Sequence, residues 1–111
     1  MNSKILKKVA DFTESKGERS FNQLETYNQM RSNLNVFYCW GSHNFKKVRD
    51  IGLFFEVNGH IHKGFVVIIL GFMDTYNIYL LNKEGDFIYE CKSDIYADEL
   101  NNVIDSLVET S

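Results

Sequence analysis

The chain has 111 residues, 44% of them hydrophobic and 24% charged, and a formal net charge of −3. These values are ordinary for one globular domain. A chain of this length buries roughly two-thirds of its unfolded surface and needs no disulfide bonds to fold. Two cysteines exclude a disulfide framework, and the longest apolar run, residues 65–73, is too short for a membrane helix. Because the first residues also lack a signal peptide's apolar core, we predict a single cytoplasmic domain over residues 1–111 that enters no membrane.

The net charge is unevenly distributed along the chain. Residues 1–63 contain ten Lys or Arg and six Asp or Glu, for a sum of +4. Residues 64–111 contain two Lys and nine Asp or Glu, for a sum of −7. The basic part would suit an acidic partner, and the acidic part would suit the basic part of another copy. The alternative is that these opposite charges are neighbours within one folded chain.

A first amphipathic segment opens the chain. Ile5, Val9 and Phe12 have the i, i+4, i+7 spacing of an apolar helical stripe. Gly17 interrupts this pattern. Residues 1–18 are therefore predicted to form either a short helix that packs on the domain or a helical arm that frays.

A second helix is predicted over residues 19–34. Ser20 precedes Gln23 by three residues, the spacing of a capping box at the beginning of a helix. The polar face carries few opposite-charge pairs, so packing must supply most of the helix's stability. The positions predicted to pack are Phe21, Leu24, Tyr27 or Asn28, and Met30.

The first strand is predicted at residues 36–40, an aromatic and β-branched run. Residues 41–50 after it are polar, basic and rich in turn-forming residues. We therefore predict a loop there, or a ragged extension of the strand.

The central hairpin is predicted around Asn58-Gly59, the dipeptide most typical of a two-residue β-turn. The strand before the turn covers residues 53–57, and the strand after it, residues 60–70, is apolar on both faces from Phe65 onward. A two-residue turn pairs Phe55 with His62. Alternate residues share a face of the sheet. One face carries Leu53, Phe55, Val57, His60, His62, Val66, Ile68 and Leu70, and the other carries Phe54, Glu56, Ile61, Lys63, Phe65, Val67 and Ile69.

Residues 76–81 and 87–92 are predicted as two further strands. Gly85 between them suits the left-handed position of a three-residue hairpin loop. The register of this hairpin pairs Leu81 with Phe87 and Tyr79 with Tyr89.

A last helix is predicted to begin near Ser93 or Asp94, which are N-cap candidates. Its apolar stripe consists of Tyr96, Leu100, Val103, Ile104, Leu107 and Val108. Since every connection between strands is short, the sheet is predicted to be an antiparallel five-stranded meander. The predicted fold class is α+β, with an N-terminal helical segment and a C-terminal helix packed on the sheet.

The apolar strand at residues 65–70 must be covered on both faces. If the second and last helices lie on the same face, a second copy is the simplest cover for the other, because a two-fold contact lets one patch cover itself. The high aromatic content, 14%, is also typical of interfaces. We therefore predict a homodimer formed through an apolar sheet face. If the two helices lie on opposite faces, each face of the sheet is covered within one chain and no second copy is needed.

A basic, aromatic stretch is the candidate for single-stranded nucleic-acid binding. Lys46, Lys47 and Arg49 would neutralise phosphates while the neighbouring Phe45 and other aromatics stack on bases. Lys63 would extend this patch. The structural alternative is a solvated basic loop.

Two weaker constellations would carry metal or thiol chemistry. His60 and His62 have strand spacing and so point to one face, as two metal ligands would, although the local sequence supplies no third ligand. Cys39 would act as a nucleophilic thiol with His43 as its general base if the fold brings the two side chains together. The structural alternatives are histidines at a solvated turn and a buried cysteine.

Three functions from different classes follow from these features. The leading prediction is a small non-enzymatic interaction domain that acts as a homodimer. The second is a single-stranded nucleic-acid-binding module, and the third is a metal-binding or thiol-dependent enzyme. The chain contains no GxSxG, P-loop, GxGxxG or HExxH motif, so we predict no cofactor.

Overall fold

A computed structural model describes residues 3–31, 43–59, 62–71 and 73–108, with the backbone alone for residues 43, 44 and 89–92. This part of the chain folds as helices on an antiparallel meander, which confirms the predicted α+β class. The helices are α1 (Ser3–Lys16), α2 (Gln23–Arg31) and α3 (Leu100–Val108), the last preceded by a 3₁₀ turn at Ala97–Glu99. The strands, hydrogen-bonded in chain order, are β1 (His43–Val48), β2 (Gly52–Asn58), β3 (Lys63–Leu70), β4 (Tyr76–Leu81) and β5 (Phe87–Ile95). None of the helices in these ranges is both long and apolar enough to span a membrane.

The strand β1 lies in a stretch that was not predicted as a regular strand. It occupies His43–Val48, inside the stretch predicted as a loop or ragged extension, whereas residues 36–40 lie outside the described residues. Lysines weaken the local strand signal here, but pairing with β2 overrides it. The ring of Phe45 stacks on that of Phe55, and Val48 is buried on the opposite face.

The central hairpin has a longer loop than predicted. Asn58 pairs with Lys63, so the loop contains four residues rather than two, and Phe55 pairs with Val66 instead of His62. The register therefore shifts by four residues. Because an even shift preserves the alternation, the predicted division of buried strand residues between the two faces is confirmed.

The end of α3 holds this four-residue loop. The N–H of Gly59 donates to the carbonyl of His62 at 3.1 Å, and the N–H of His62 donates to the carbonyl of Val108 at 3.2 Å. A Cβ on Gly59 would lie 2.3 Å from the same Val108 oxygen. The loop shape thus depends on a helix almost fifty residues further along the chain.

The hairpin of β4 and β5 begins in the predicted register and then departs from it. Leu81 pairs with Phe87 as predicted, across a turn whose glycine has the expected left-handed φ of 82°. Tyr79 pairs with Glu90 rather than Tyr89, because register shifts interrupt the ladder. Such bulges are typical of an edge strand, which β5 is among the described strands.

The helix α1 covers one face of the sheet. Val9 and Thr13 are buried, and the ring of Phe12 contacts those of Tyr79 and Phe87 with centroids 5.6 Å and 5.2 Å away. Of the two alternatives predicted for residues 1–18, the structure has the packed helix. The buried cluster on this face consists of Val9, Val48, Phe54, Phe65, Val67, Ile69, Tyr79 and Leu81.

The helices α2 and α3 together cover the other face. The side-chain amide of Asn101 in α3 donates to the carbonyl of Met30 in α2 at 2.9 Å. The buried cluster on this face consists of Met30, Leu53, Phe55, Val57, Val66, Ile68, Ile78, Leu80, Ile95, Leu100, Ile104 and Val108. Residues 65–69 of β3 are all 0% exposed. The prediction of a sheet face left for a second copy to cover is therefore wrong, since α1 covers that face.

Both later helices begin a few residues after their predicted caps. Asn22 rather than Ser20 caps α2, its side-chain oxygen accepting the N–H of Glu25 at 3.1 Å. The 3₁₀ turn before α3 begins later than predicted because Ser93 and Asp94 extend β5 instead. Residues suited to capping thus predicted roughly where each helix begins, whereas strand pairing and packing determine the first helical residue.

Candidate functional site

A groove of about 210 Å³ lies between α2 and β1. This volume equals that of roughly seven water molecules, which suits one large side chain. It is smaller than the roughly 300–1,000 Å³ of small-molecule sites. The α2–β1 groove is lined by Gln23, Leu24, Tyr27, Phe45, Lys46, Lys47 and Leu53.

Aromatic rings anchored in the core form part of the groove. The rings of Tyr27 and Phe45 meet edge to face with centroids 4.8 Å apart, and Phe45 stacks on the buried Phe55 at 4.6 Å. The guanidinium of Arg31 lies 5.5 Å from the centroid of the Tyr27 ring. Because these contacts hold the rings in place, a partner would bind without first ordering them.

Leu24 stands at the rim of the groove with 63% of its surface exposed. The sequence pattern predicted Leu24 in the core, and that prediction is wrong. The side-chain amide of Gln23 donates to the carbonyls of Arg49 and Gly52 at 2.7 Å and 3.1 Å, and these bonds set the orientation of α2. Helical periodicity alone could not predict that Leu24 is exposed, because the hydrogen-bond partners of Gln23 lie more than twenty-five residues away in the sequence.

Two exposed lysines flank the groove. Lys46 and Lys47 are consecutive in β1, opposite Phe54 and Leu53 of β2, so they point to opposite faces of the sheet. Lys47 is on the same face as Phe45. Both lysines nevertheless line the groove, Lys47 from the groove's own face of the sheet and Lys46 from the strand that borders it.

The other two predicted basic residues contribute less. Arg49 is exposed in the turn after β1, with a positive φ of 52°, and donates to the carboxylate of Glu14 in α1 at 3.0 Å. Lys63 is exposed opposite Asn58, four residues beyond Phe54 along β2, a distance of about 13 Å along the strand. The structure therefore does not bring Lys63 to the groove.

The predicted metal candidate His62 lies in the hairpin loop and is only 7% exposed. Its Nε2 is 3.3 Å from the carbonyl oxygen of Phe65. Burial lowers the pKa of His62 below its ordinary value, and hydrogen bonds to the backbone of Phe65 and Leu81 oppose this change. The ring is held against main-chain carbonyls of the sheet.

The remaining chemistry candidates are only partly described. His60 and Cys39 lie outside the described residues, and of His43 only the backbone is described, in β1. Among the residues whose side chains are described, no three His, Cys, Asp or Glu are grouped closely enough to hold a metal ion.

Two further cavities carry mixed polar linings. One of about 350 Å³ lies at the ends of β2 and β3, where Glu56 and Lys83 line it. Another of about 260 Å³ lies between α2 and β4, where the hydroxyls of Thr26 and Tyr76 are hydrogen-bonded at 2.8 Å. The described linings of these cavities do not bring together a nucleophile, a base and a group that orients the base.

Comparison with protein-family models, curated proteins and solved structures finds no match for this chain. Among the described surfaces, the α2–β1 groove is the strongest indication of function.

Proposed function

We propose that this chain is a non-enzymatic protein-interaction domain of the cytoplasm, which captures a segment of a partner protein in the α2–β1 groove. The observation that carries this proposal is an apolar groove of side-chain size, with core-anchored rings, beside two exposed lysines. Tyrosine and tryptophan side chains in well-packed pockets are enriched among the residues that carry most of the binding energy of protein interfaces. Acidic residues next to that anchor would face Lys46 and Lys47 and direct the approach of the partner.

The size of the groove predicts a weak, reversible interaction. Burying one aromatic side chain removes about 150–250 Å² from water, which corresponds to roughly 4–6 kcal/mol at about 25 cal/mol per Å². Association itself costs at least about 4 kcal/mol. Flanking contacts with the lysines must supply much of the net affinity, so binding should weaken as salt increases.

A labelled peptide with one tyrosine between aspartates tests this proposal by fluorescence anisotropy. We expect saturable binding at low salt, weakened at least tenfold by Lys46→Glu with Lys47→Glu. Lys63→Glu is the matched control, because it makes the same charge change on an exposed strand residue away from the groove. Absence of binding at high micromolar peptide, or equal weakening by Lys63→Glu, would contradict the proposal.

Single-stranded nucleic acid is a second candidate partner. The observation that favours it is the proximity of Lys46 and Lys47 to the rings of Tyr27 and Phe45, since basic and aromatic groups together bind single strands. The groove is short for a nucleic-acid strand, and Arg49 already forms an ion pair with Glu14.

A labelled oligonucleotide distinguishes this candidate from a protein partner. Each phosphate contact with a single strand contributes about 0.7 to the slope of log affinity against log salt. Reversing both Lys46 and Lys47 should therefore reduce the slope by about 1.4. No binding at tens of micromolar protein in low salt would remove this candidate.

A further inference from the structure

The opposite edge of the sheet carries an exposed aromatic residue among acidic ones. Tyr96 directly follows β5 and is 63% exposed. The exposed Asp94 and Asp98 lie two residues before and after it, and no Lys or Arg occurs from residue 93 to the last residue given. The carboxylate of Glu99 accepts the N–H of Tyr96 at 3.3 Å, which holds the 3₁₀ turn that presents the ring.

This segment has the chemistry that the α2–β1 groove would select. The groove offers an apolar space of side-chain size lined by Lys46 and Lys47, and the segment offers one aromatic ring with an aspartate two residues before and another two residues after it in the sequence. The charge of the chain follows the same division, since residues 1–63 sum to +4 and residues 64–111 to −7.

The two surfaces cannot meet within one chain. In the described sheet β1 and β5 are the outer strands, separated by three others. The helix α2 lies between the two surfaces: Tyr27, which lines the groove, and Gln29 are two residues apart and so lie on opposite sides of α2, and the side-chain amide of Gln29 donates to the carbonyl of Ala97 at 2.9 Å. Contact between the groove and Tyr96 therefore requires a second copy.

We propose that the α2–β1 groove takes the Tyr96 ring of a second copy, with Lys46 and Lys47 facing Asp94 and Asp98 of that copy. This inference rests on the proposed function and names the partner. Because the two surfaces lie on different edges, the contact is head-to-tail, so each added copy presents another groove and the assembly does not close as a two-fold dimer. Association is therefore concentration-dependent and is screened by salt.

Sedimentation of the whole chain from micromolar to millimolar concentration tests this inference. At low salt the average mass should rise continuously above 13.0 kDa, and at about 1 M salt, where the Debye length is about 3 Å, it should stay near 13.0 kDa. Lys46→Glu with Lys47→Glu, and separately Tyr96→Ser, should each give a monomer at every concentration. Met73→Ser and Lys63→Glu are the controls, since they change exposed residues outside both surfaces and should leave association unchanged.

Mixing the two monomeric variants gives the sharpest result. The double lysine variant retains Tyr96 and the Tyr96→Ser variant retains the groove, so an equal mixture should form a capped dimer and nothing larger. A mass of 13.0 kDa for the unmodified chain under all conditions, association that survives Tyr96→Ser, or a mixture that stays monomeric would overturn the inference. If the chain stays monomeric but still binds the acidic tyrosine peptide through Lys46 and Lys47, the proposed function stands and only the second copy is excluded.

Discussion

The buried imidazole of His62 makes the fold sensitive to acid. Burial lowers its pKa below the ordinary 6.5 because the charged ring loses hydration, and the hydrogen bonds that the ring makes to the backbone of Phe65 and Leu81 offset this only in part. The folded chain therefore favours the neutral ring, whereas the unfolded chain titrates near 6.5. Because the unfolded state binds a proton that the folded state resists, acid shifts the equilibrium towards unfolding.

The free energy of unfolding should fall as pH decreases below 6.5, and this loss is complete once pH lies below the folded-state pKa. Urea unfolding at a series of pH values between 6.5 and about 5 measures the change. His62→Gln keeps a polar side chain without a titrating ring, so its stability should vary less over the same interval. The same pH dependence in that variant would assign the effect to other groups.

Gly64 lies where β3 approaches β4 too closely for a side chain. Its φ is +155°, and a Cβ there would lie 2.3 Å from the backbone oxygen of Leu81. Since that atom belongs to a paired strand, Gly64→Ala should destabilise the fold by about 1–3 kcal/mol, as overpacking does.

Gly71→Ala is the control for this substitution, because its Cβ would come no closer than 3.4 Å to Thr75 and its φ is not positive. The control should change stability by less than about 0.5 kcal/mol. Urea midpoints compare the two variants. Equal stabilities would show that the strands separate freely at Gly64.

At the scale of elements, alternation of side chains could be predicted and strand register could not. The period-2 pattern of β3 assigned Val66 and Phe65 to opposite faces, and the structure agrees. The loop length depends on the bond between His62 and Val108, a contact that no local pattern contains. Residues 43–48 were predicted as a loop or a ragged strand extension for a related reason, because β1 takes its stability from pairing with β2 rather than from its own composition.

The candidate site was predicted in part for the same reason. Lys46 and Lys47 were found from charge and aromatic neighbours, which are local signals. Leu24 and Gln23 were not identified, because the orientation of α2 follows from hydrogen bonds to distant carbonyls. Tyr96 was assigned to the apolar stripe of the last helix, but the helix begins after it and the residue is exposed.

The helix α1 should contribute to stability as an integral element and not as an arm. Val9→Ala removes buried hydrocarbon from its inner face and should cost about 1–2 kcal/mol. Lys7→Ala on the exposed side of the same helix should cost less than about 0.5 kcal/mol. Equal stability of both variants in urea unfolding would show that α1 does not support the domain.

Across the whole molecule, one strand joins the two buried clusters. Phe65 and Val67 of β3 face α1, whereas Val66 and Ile68 face α2 and α3. Loss of either cluster would expose one apolar face of β3 to water. We therefore expect all the described elements to unfold together. The two helical layers, in contrast, do not share partners across the sheet.

This arrangement predicts a single unfolding transition. It also predicts that substitutions on the two faces of the sheet change the free energy of unfolding additively. Val9→Ala changes the inner side of α1, and Ile104→Val changes the inner side of α3 on the other face of the sheet. The second substitution is expected to cost about 0.5–1.5 kcal/mol. Sites that distant and without common partners usually add within about 0.5 kcal/mol. Urea unfolding followed by circular dichroism and by fluorescence should give coincident curves for both variants and for the double variant. Two separate transitions, with each substitution moving only one of them, would show instead that each helical layer unfolds from the sheet independently.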